Sequence, residues 1–408
     1  MNRLICRLAI LLTVLTLGFG PVRAGGIEMG HWRAVLSVPG GDLTFGIELL
    51  DENGRPAAYY LNGAERVRVD EVTIRGDSLT LGIPSFDSKI RAVLKDGRLV
   101  GTLRLVKRGG VHQVIPFSAE RGGRISPEHG AAAADFGGRW SVTFVNDNDA
   151  ASKAVAEFRQ EGARLFGTFR TLTGDYRYLE GRVHGDKMYL SCFDGGHAFL
   201  FKAALRSDGD LEGEFWSGTK WHERWVAMRD EEAALPDPLK LTYLKPGYDA
   251  FTFQFPDLGG RPVSLSDERF RGKVVIVTLA GSWCPNCHDE AAFLAPFYTG
   301  NKDRGLEVIA LMFEHFKDFE TAVTQVNHFR ERHGIEYMTL IAGYSNKSDA
   351  AETLPMLNHV LAYPTTIFID RRGEVRRIRT GFDGPATGER FTNYTEEMVR
   401  FVGHLLDE

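Results

Sequence analysis

At 408 residues, with 43% hydrophobic and 25% charged side chains, the chain is too long for one ordinary core and has the composition of a globular protein. Its formal charge of −5 carries no long run of either sign, which excludes the clustered Lys and Arg of a nucleic-acid footprint. These totals say nothing about oligomeric state.

Residues 1–24 read as an export signal. Arg3 and Arg7 form a positive start, Leu8 to Gly20 a short apolar stretch, and Val22-Arg23-Ala24 a small-x-small cleavage site. The apolar stretch is shorter than the roughly 20 residues of a spanning helix. A cleaved signal and a periplasmic or otherwise exported protein are therefore expected, with an uncleaved N-terminal membrane anchor as the alternative. Cys6 precedes the apolar stretch, which argues against lipid attachment at the cleavage site. Beyond this segment only Cys192, Cys284 and Cys287 remain. A disulfide-stapled secreted scaffold would carry many more, so a Cys-x-x-Cys pair points to redox or metal chemistry.

Linkers at Glu128–Ala134 and Glu231–Pro246 divide the rest into two β-rich segments, 25–128 and 129–235, and a final unit, 243–408. The two β-rich segments read as copies of one unit. Gly30-His31-Trp32 corresponds to Gly138-Arg139-Trp140, Gly76-Asp77 to Gly185-Asp186, and Phe86-Asp87 to Phe193-Asp194. Asp96-Gly97-x-Leu99-x-Gly101 corresponds to Asp208-Gly209-x-Leu211-x-Gly213, in the same order and at nearly constant separation. Short alternating runs such as Arg66–Val69, set among Asp-Gly turns, predict antiparallel meanders forming an all-β duplicated barrel or sandwich. Trp32, Phe45, Trp140, Phe158 and Phe193 are candidates for its interior. Cys192 falls in an apolar strand, where a buried inert thiol is the plain expectation and a resolving or intermolecular cysteine the alternative.

From Tyr248 the pattern changes. Phe251 to Phe255 alternates like an edge strand, with Pro262 to Leu265 as its hairpin return. Val274 to Leu279 is a continuous β-branched run suited to a buried parallel strand. A helix follows from Cys284 to about Tyr298, then a second strand, Leu306 to Met312. Phe319, Val323, Val326 and Phe329 mark one face of a helix stopping at Gly334. A strand at Thr365–Ile369 turns at Arg371-Arg372-Gly373 into Val375–Ile378, and a last helix presents Met398, Phe401, Val402 and Leu405. This order predicts a mixed sheet with helices on both faces, an α/β thioredoxin-type unit.

Cys284 is placed where a buried strand ends and a helix begins. A helix N-terminus carries unpaired N–H groups and partial positive charge, which favour a thiolate, the form that attacks disulfides. Pro285 suits the first helical position. Cys287, one turn on, can attack the resulting mixed disulfide and release product. Cys284-Pro285-Asn286-Cys287-His288 also satisfies the attachment string for c-type haem, but that role calls for neither the buried strand before it nor the proline strand downstream. A structural zinc site would need a second ligand pair. In combination with the cysteine pair, Pro364 before the Thr365–Ile369 strand predicts a cis Tyr363–Pro364 peptide that holds backbone beside Cys284.

These features together resemble the thioredoxin superfamily, and more narrowly the TlpA/ResA-like exported thiol–disulfide oxidoreductases. The likeness rests on Trp283-Cys284-Pro285-Asn286-Cys287, Glu290, Gly305–Ala310 and Tyr363-Pro364-Thr365-Thr366, and covers 248–408 only. It implies catalytic roles for Cys284, Cys287 and Pro364, and substrate contacts from Trp283, Tyr363 and Thr365. It also implies an acid near the second cysteine, for which Glu314 is the candidate, because Thr278 stands where cytoplasmic-type thioredoxins carry Asp. His288 and His315 are expected at the surface. No cofactor or metal is implied beyond a redox-active Cys284–Cys287 disulfide. The partners implied are protein thiols and disulfides and a membrane electron donor. The chain departs from the family at Ala292, where a Pro is common, and in a long segment from Tyr344 to His359. The expected activity is protein-disulfide reduction. The alternatives are a disulfide oxidase or isomerase of the same fold, or a β-rich binding or assembly protein with a vestigial redox domain. A peroxidase is disfavoured, because Gly281 holds the position of the peroxidatic Thr.

Overall fold

The computed structural model of the chain describes residues 23–24, 26–122 and 134–408. Apart from its last two residues, the expected export signal lies outside the described residues, as does most of the first linker.

A ribbon of β1 (Arg23–Ala24) and β2 (Ile27–Glu28) precedes an antiparallel meander. This meander runs through β3 (Gly30–Val38), β4 (Gly41–Glu52), β5 (Arg55–Asn62), β6 (Glu65–Arg68), β7 (Glu71–Arg75), β8 (Ser78–Ile83), β9 (Ser88–Lys95), β10 (Arg98–Lys107) and β11 (Val111–Arg121). β11 returns to pair with β3, and the ladder lapses only between β6 and β7. The second segment repeats the order with β12 (Gly138–Asn146), β13 (Ala151–Glu161), β14 (Arg164–Thr171), β15 (Gly174–Asp175), β16 (Leu179–His184), β17 (Lys187–Phe193), β18 (Ala198–Leu205), β19 (Leu211–Ser217) and β20 (Trp221–Arg229). Here β14 pairs with both β13 and β16 and β20 pairs with β12, so the ring closes into a barrel.

The duplication extends to single hydrogen bonds. Trp32 Nε1 donates to the Glu28 carbonyl and Trp140 Nε1 to the Phe136 carbonyl, each at 3.0 Å and each four residues back. Arg121 lies over Trp32 and reaches the Met29 carbonyl, and Arg229 lies over Trp140 and reaches the Gly137 carbonyl. Gly101 and Gly213 occupy matching places where a Cβ would strike the carbonyl of the neighbouring strand, so only glycine fits.

The two β units mesh through the strand that carries Cys192. Cys192 points into the closed barrel and is fully buried, which raises its thiol pKa well above the usual range. The next residue, Phe193, faces the other way and joins the first unit's core, 4.9 Å from the rings of Phe45 and Tyr60. The Asn62 amide brackets Phe193, donating to its carbonyl and accepting from its N–H at 3.0 Å each.

The final unit opens with a hairpin of β21 (Gln254–Pro256) and β22 (Pro262–Ser264). β21 is shorter than the alternating run implied, since Phe251 and Phe253 bury their rings in the core from backbone outside the ladder. Next come β23 (Val274–Ala280), α1 (Pro285–Asn301), β24 (Leu306–Glu314), α2 (Phe319–His333), β25 (Met338–Tyr344), α3 (Lys347–Thr353), β26 (Thr365–Ile369), β27 (Val375–Thr380) and α4 (Glu389–Asp407). The sheet order is β25-β24-β23-β26-β27, with the first three parallel and β26 antiparallel to β23. β23 is buried along its whole length, as a central parallel strand requires. Gly334, at φ 60°, ends α2 as predicted. β25 and α3 were absent from the sequence reading. Among the described residues, no helix is long and apolar enough to cross a membrane.

Candidate active site

β23 delivers the chain to a tight turn, and Cys284 becomes the residue capping α1. Its backbone is extended, and its sulfur accepts the Cys287 N–H at 3.3 Å. Pro285 takes the first helical position, where an N–H would have no intrahelical partner. The turn is set by two devices. Gly281 leaves room for the Trp283 indole, which donates to the Phe313 carbonyl at 2.8 Å. Glu314 then fixes Ser282, accepting its N–H at 2.9 Å and its hydroxyl at 2.6 Å.

The Tyr363–Pro364 peptide is cis, and the Tyr363 carbonyl accepts from the Cys284 thiol at 3.3 Å. Trp283 stacks on His315 at 4.4 Å and meets Tyr363 edge-on at 5.7 Å. Cys284 is 5% and Cys287 1% exposed. The Cys287 thiol is held well above its usual pKa, first by burial, then by Cys284 and by the charge of Glu290.

Glu290 is the carboxylate whose charge adds to the rise at Cys287. Fully enclosed on α1, it accepts 2.5 Å hydrogen bonds from Thr278 on β23 and Thr366 on β26. Burial raises its pKa against the opposing pull of those hydroxyls. The sequence places Glu290 in the family motif and makes Glu314 the candidate for the acid near the second cysteine. Glu314 is equally buried, burial pushes its carboxyl up to about 7, and its two oxygens hold Ser282 as those of Glu290 hold Thr278 and Thr366; of the two, the charge of Glu290 is the one that raises Cys287. The helical spacing of Glu290 from Cys287, together with a hydroxyl at position 278, was the available signal. Thr365 also departs from expectation. It is 0% exposed and donates its hydroxyl to the Ala362 carbonyl at 2.8 Å, so its side chain does not face a ligand.

The two histidines expected at the surface are not there. His288 is 5% exposed, between Phe329 and Phe86 of the first β unit, and its Nε2 donates to the Ser282 carbonyl at 2.7 Å. Its Nδ1 lies 2.7 Å from Nε2 of His333. Burial is the first cause that lowers the pKa of His288, and of His333 to about 3. His315 is half-buried beneath Trp283, with its pKa lowered to about 3 by burial and by Lys107 and Arg108.

The β units cover the motif. Arg177, at φ 59°, reaches from the closed barrel to the Pro285 carbonyl at 3.2 Å and to Asp289 at 2.5 Å. It also bonds Glu65 of the first unit and forms an ion pair with Asp194 at 3.5 Å. One guanidinium thus joins all three units. Asp289 is nonetheless raised to about 7, because burial outweighs Arg177 and the carboxylates of Asp175 and Glu65 add to it. Gly174 lies directly on Asn286. What remains open beside Cys284 is a cleft of about 280 Å³, lined on one side by Trp283 and Tyr363 and on the other by Thr171, by barrel residues 173–177 and by His197 and Phe199.

A model of the AhpC/TSA family matches residues 246–378. The thiol-disulfide oxidoreductase ResA of Geobacillus kaustophilus is 32% identical over 135 residues, which are 33% of this chain and 69% of that protein. ResA of Halalkalibacterium halodurans is 30% identical over 160 residues, 39% of this chain and 76% of that protein. Among solved structures, a putative protein disulfide isomerase from Bacteroides thetaiotaomicron aligns with 41% of this chain and 93% of its own, at 22% identity and a TM-score of 0.31. Through its C-terminal unit, this chain belongs to the ResA-like, thioredoxin-fold thiol–disulfide oxidoreductases.

Proposed function

We propose that this protein is an exported protein-disulfide reductase in which Cys284 attacks, Cys287 resolves, and the 243–408 unit is joined to two β units spanning 25–128 and 129–235. The observation that carries the reading is the setting of the Cys284 sulfur, which caps a helix, accepts the Cys287 N–H and faces the carbonyl of a cis-proline loop. The Cys284 thiolate attacks one sulfur of a substrate disulfide, forming a mixed disulfide and releasing the other sulfur as a thiolate. Cys287, deprotonated by Glu290, then attacks the Cys284 sulfur. The second substrate thiol leaves, Cys284–Cys287 closes as a disulfide, and two electrons have passed to the substrate. Glu314 holds the turn through Ser282, and Pro364 presents the Tyr363 carbonyl. Trp283 and Tyr363 border the substrate, and Thr365 supports that loop from inside. A dithiol donor at the membrane restores the reduced pair. Export is supported by the pattern of Arg3, Arg7 and the apolar stretch to Gly20.

Reduction of insulin by the pre-reduced protein tests the reading. Cys284→Ser is expected to abolish it, and Cys287→Ser to accumulate a mixed disulfide on Cys284. Unchanged turnover in Cys284→Ser would instead indicate a binding protein. A reduction potential near about −270 mV supports a reductant, and one near about −120 mV an oxidant.

A further inference from the structure

Next to the cleft beside Cys284 lies a second cavity of about 740 Å³ at the mouth of the closed barrel. The two share Thr171, Thr173, Tyr176, His197 and Phe199 as a common wall. The larger space is within the range of pre-formed ligand sites. Its lining holds a mutually packed set of rings beside the charged Lys153 and Glu223. Tyr176 meets Phe199 and Phe215 edge-on or tilted at 5.1 Å each, and His197 stacks on Phe199 at 4.6 Å. Trp221, 49% exposed, stands at the outer edge. Because Arg177 and Gly174 seat this barrel on α1, the aromatic mouth is held at a fixed place relative to the reactive sulfur.

We propose that the barrel mouth is the substrate-selecting wall of the enzyme, taking an aromatic side chain from the polypeptide segment whose disulfide is delivered to Cys284. This rests on the reductase reading and adds the class of substrate. An extended chain running past the Tyr363–Pro364 loop has the loop on one side and the barrel on the other, so a flanking side chain falls towards the barrel. Rings prefer offset or edge-to-face partners, which a cluster of differently tilted rings supplies. A space bounded by fixed rings suits a flat side chain better than a small one.

The test uses full-length pre-reduced protein in single-turnover reactions with synthetic peptides, each holding one disulfide. A Phe is walked through the flanking positions against an all-Ala reference. At one position the second-order rate constant is expected to exceed the reference by roughly tenfold, the scale of one buried ring contact. Trp221→Ala, at an exposed position, and Ser217→Trp, which fills the cavity, are each expected to bring that peptide down towards the reference. Equal rates for all peptides, or an advantage that survives both substitutions, overturns the inference while leaving the reductase standing. Failure to reduce any peptide, the reference included, overturns the reductase reading and this inference with it.

Discussion

Glu290 and Glu314 are two buried carboxylates with different partners, Thr278 and Thr366 for the first and Ser282 for the second. Glu290 bears on Cys287, whereas Glu314 braces Ser282. Glu290→Gln is therefore expected to slow resolution of the mixed disulfide by roughly a hundredfold or more, as loss of a general base does. Glu314→Gln alters a hydrogen bond worth about 1 kcal/mol and is expected to leave that step within about tenfold. Rapid-quench measurement of the mixed disulfide separates the two, and equal effects would contradict the assignment. The same residue sets a pH dependence. The pKa of Glu314 is raised in the folded state, to about 7, so its contribution to stability is complete below the ordinary carboxylate range and is lost as pH rises through 7. The neutral variant should therefore gain on the wild type between pH 5 and pH 8 in thermal melts. His333, lowered from 6.5 to about 3, works the other way. Its contribution is present above 6.5 and is lost as pH falls towards 3.

At the scale of elements, the strand–turn–helix around the cysteines was legible because each of its parts has a local cause. A wholly apolar β-branched run makes a buried strand, Pro suits a helix start, and Gly334 permits the left-handed residue that ends α2. β25 and α3 were not legible. Met338–Tyr344 is a short apolar run with no alternation, and it becomes a strand only because the edge of β24 is there to receive it. Likewise, nothing local showed that the turn at Thr173–Gly174 would rest on Asn286. At Gly174, with φ at 137°, an added Cβ would fall 1.8 Å from the Asn286 amide nitrogen. Gly174→Ala is expected to cost about 1–3 kcal/mol through backbone strain and to lift this turn from the motif. Faster alkylation of Cys284 by iodoacetamide would report the exposure, and an unaltered rate would show that the turn does not guard the thiol.

On the scale of the whole molecule, Arg177 is the joint between the redox unit and both β units. Its guanidinium is nearly buried, and replacing it with Met leaves Glu65, Asp194 and Asp289 without their shared cation. Loss of one partner from a buried ion pair costs about 3–5 kcal/mol. Arg177→Met is expected to destabilise the protein on that scale and to make Cys284 more accessible. The loss should be smaller at pH 5 than at pH 8. Asp289 already has its pKa raised to about 7, and the stabilisation tied to its proton is present at low pH and lost as pH rises through that value. Calorimetry at the two pH values checks the sign, and a greater loss at pH 5 would refute it.

The sequence alone determined the redox motif, the thioredoxin-type order of most strands and helices, the cis-proline loop and the duplication of the β unit. Each of these is written in short-range patterns or in spacing that survives without a partner. Only the tertiary structure decided that Glu290 and Glu314 are both interior with different partners, that His288 is interior, and that a barrel mouth lies beside the Cys284 sulfur. Those outcomes depend on which surfaces meet across more than a hundred residues of chain, and burial there turns histidines and carboxylates that look like solvated side chains into parts of an interface.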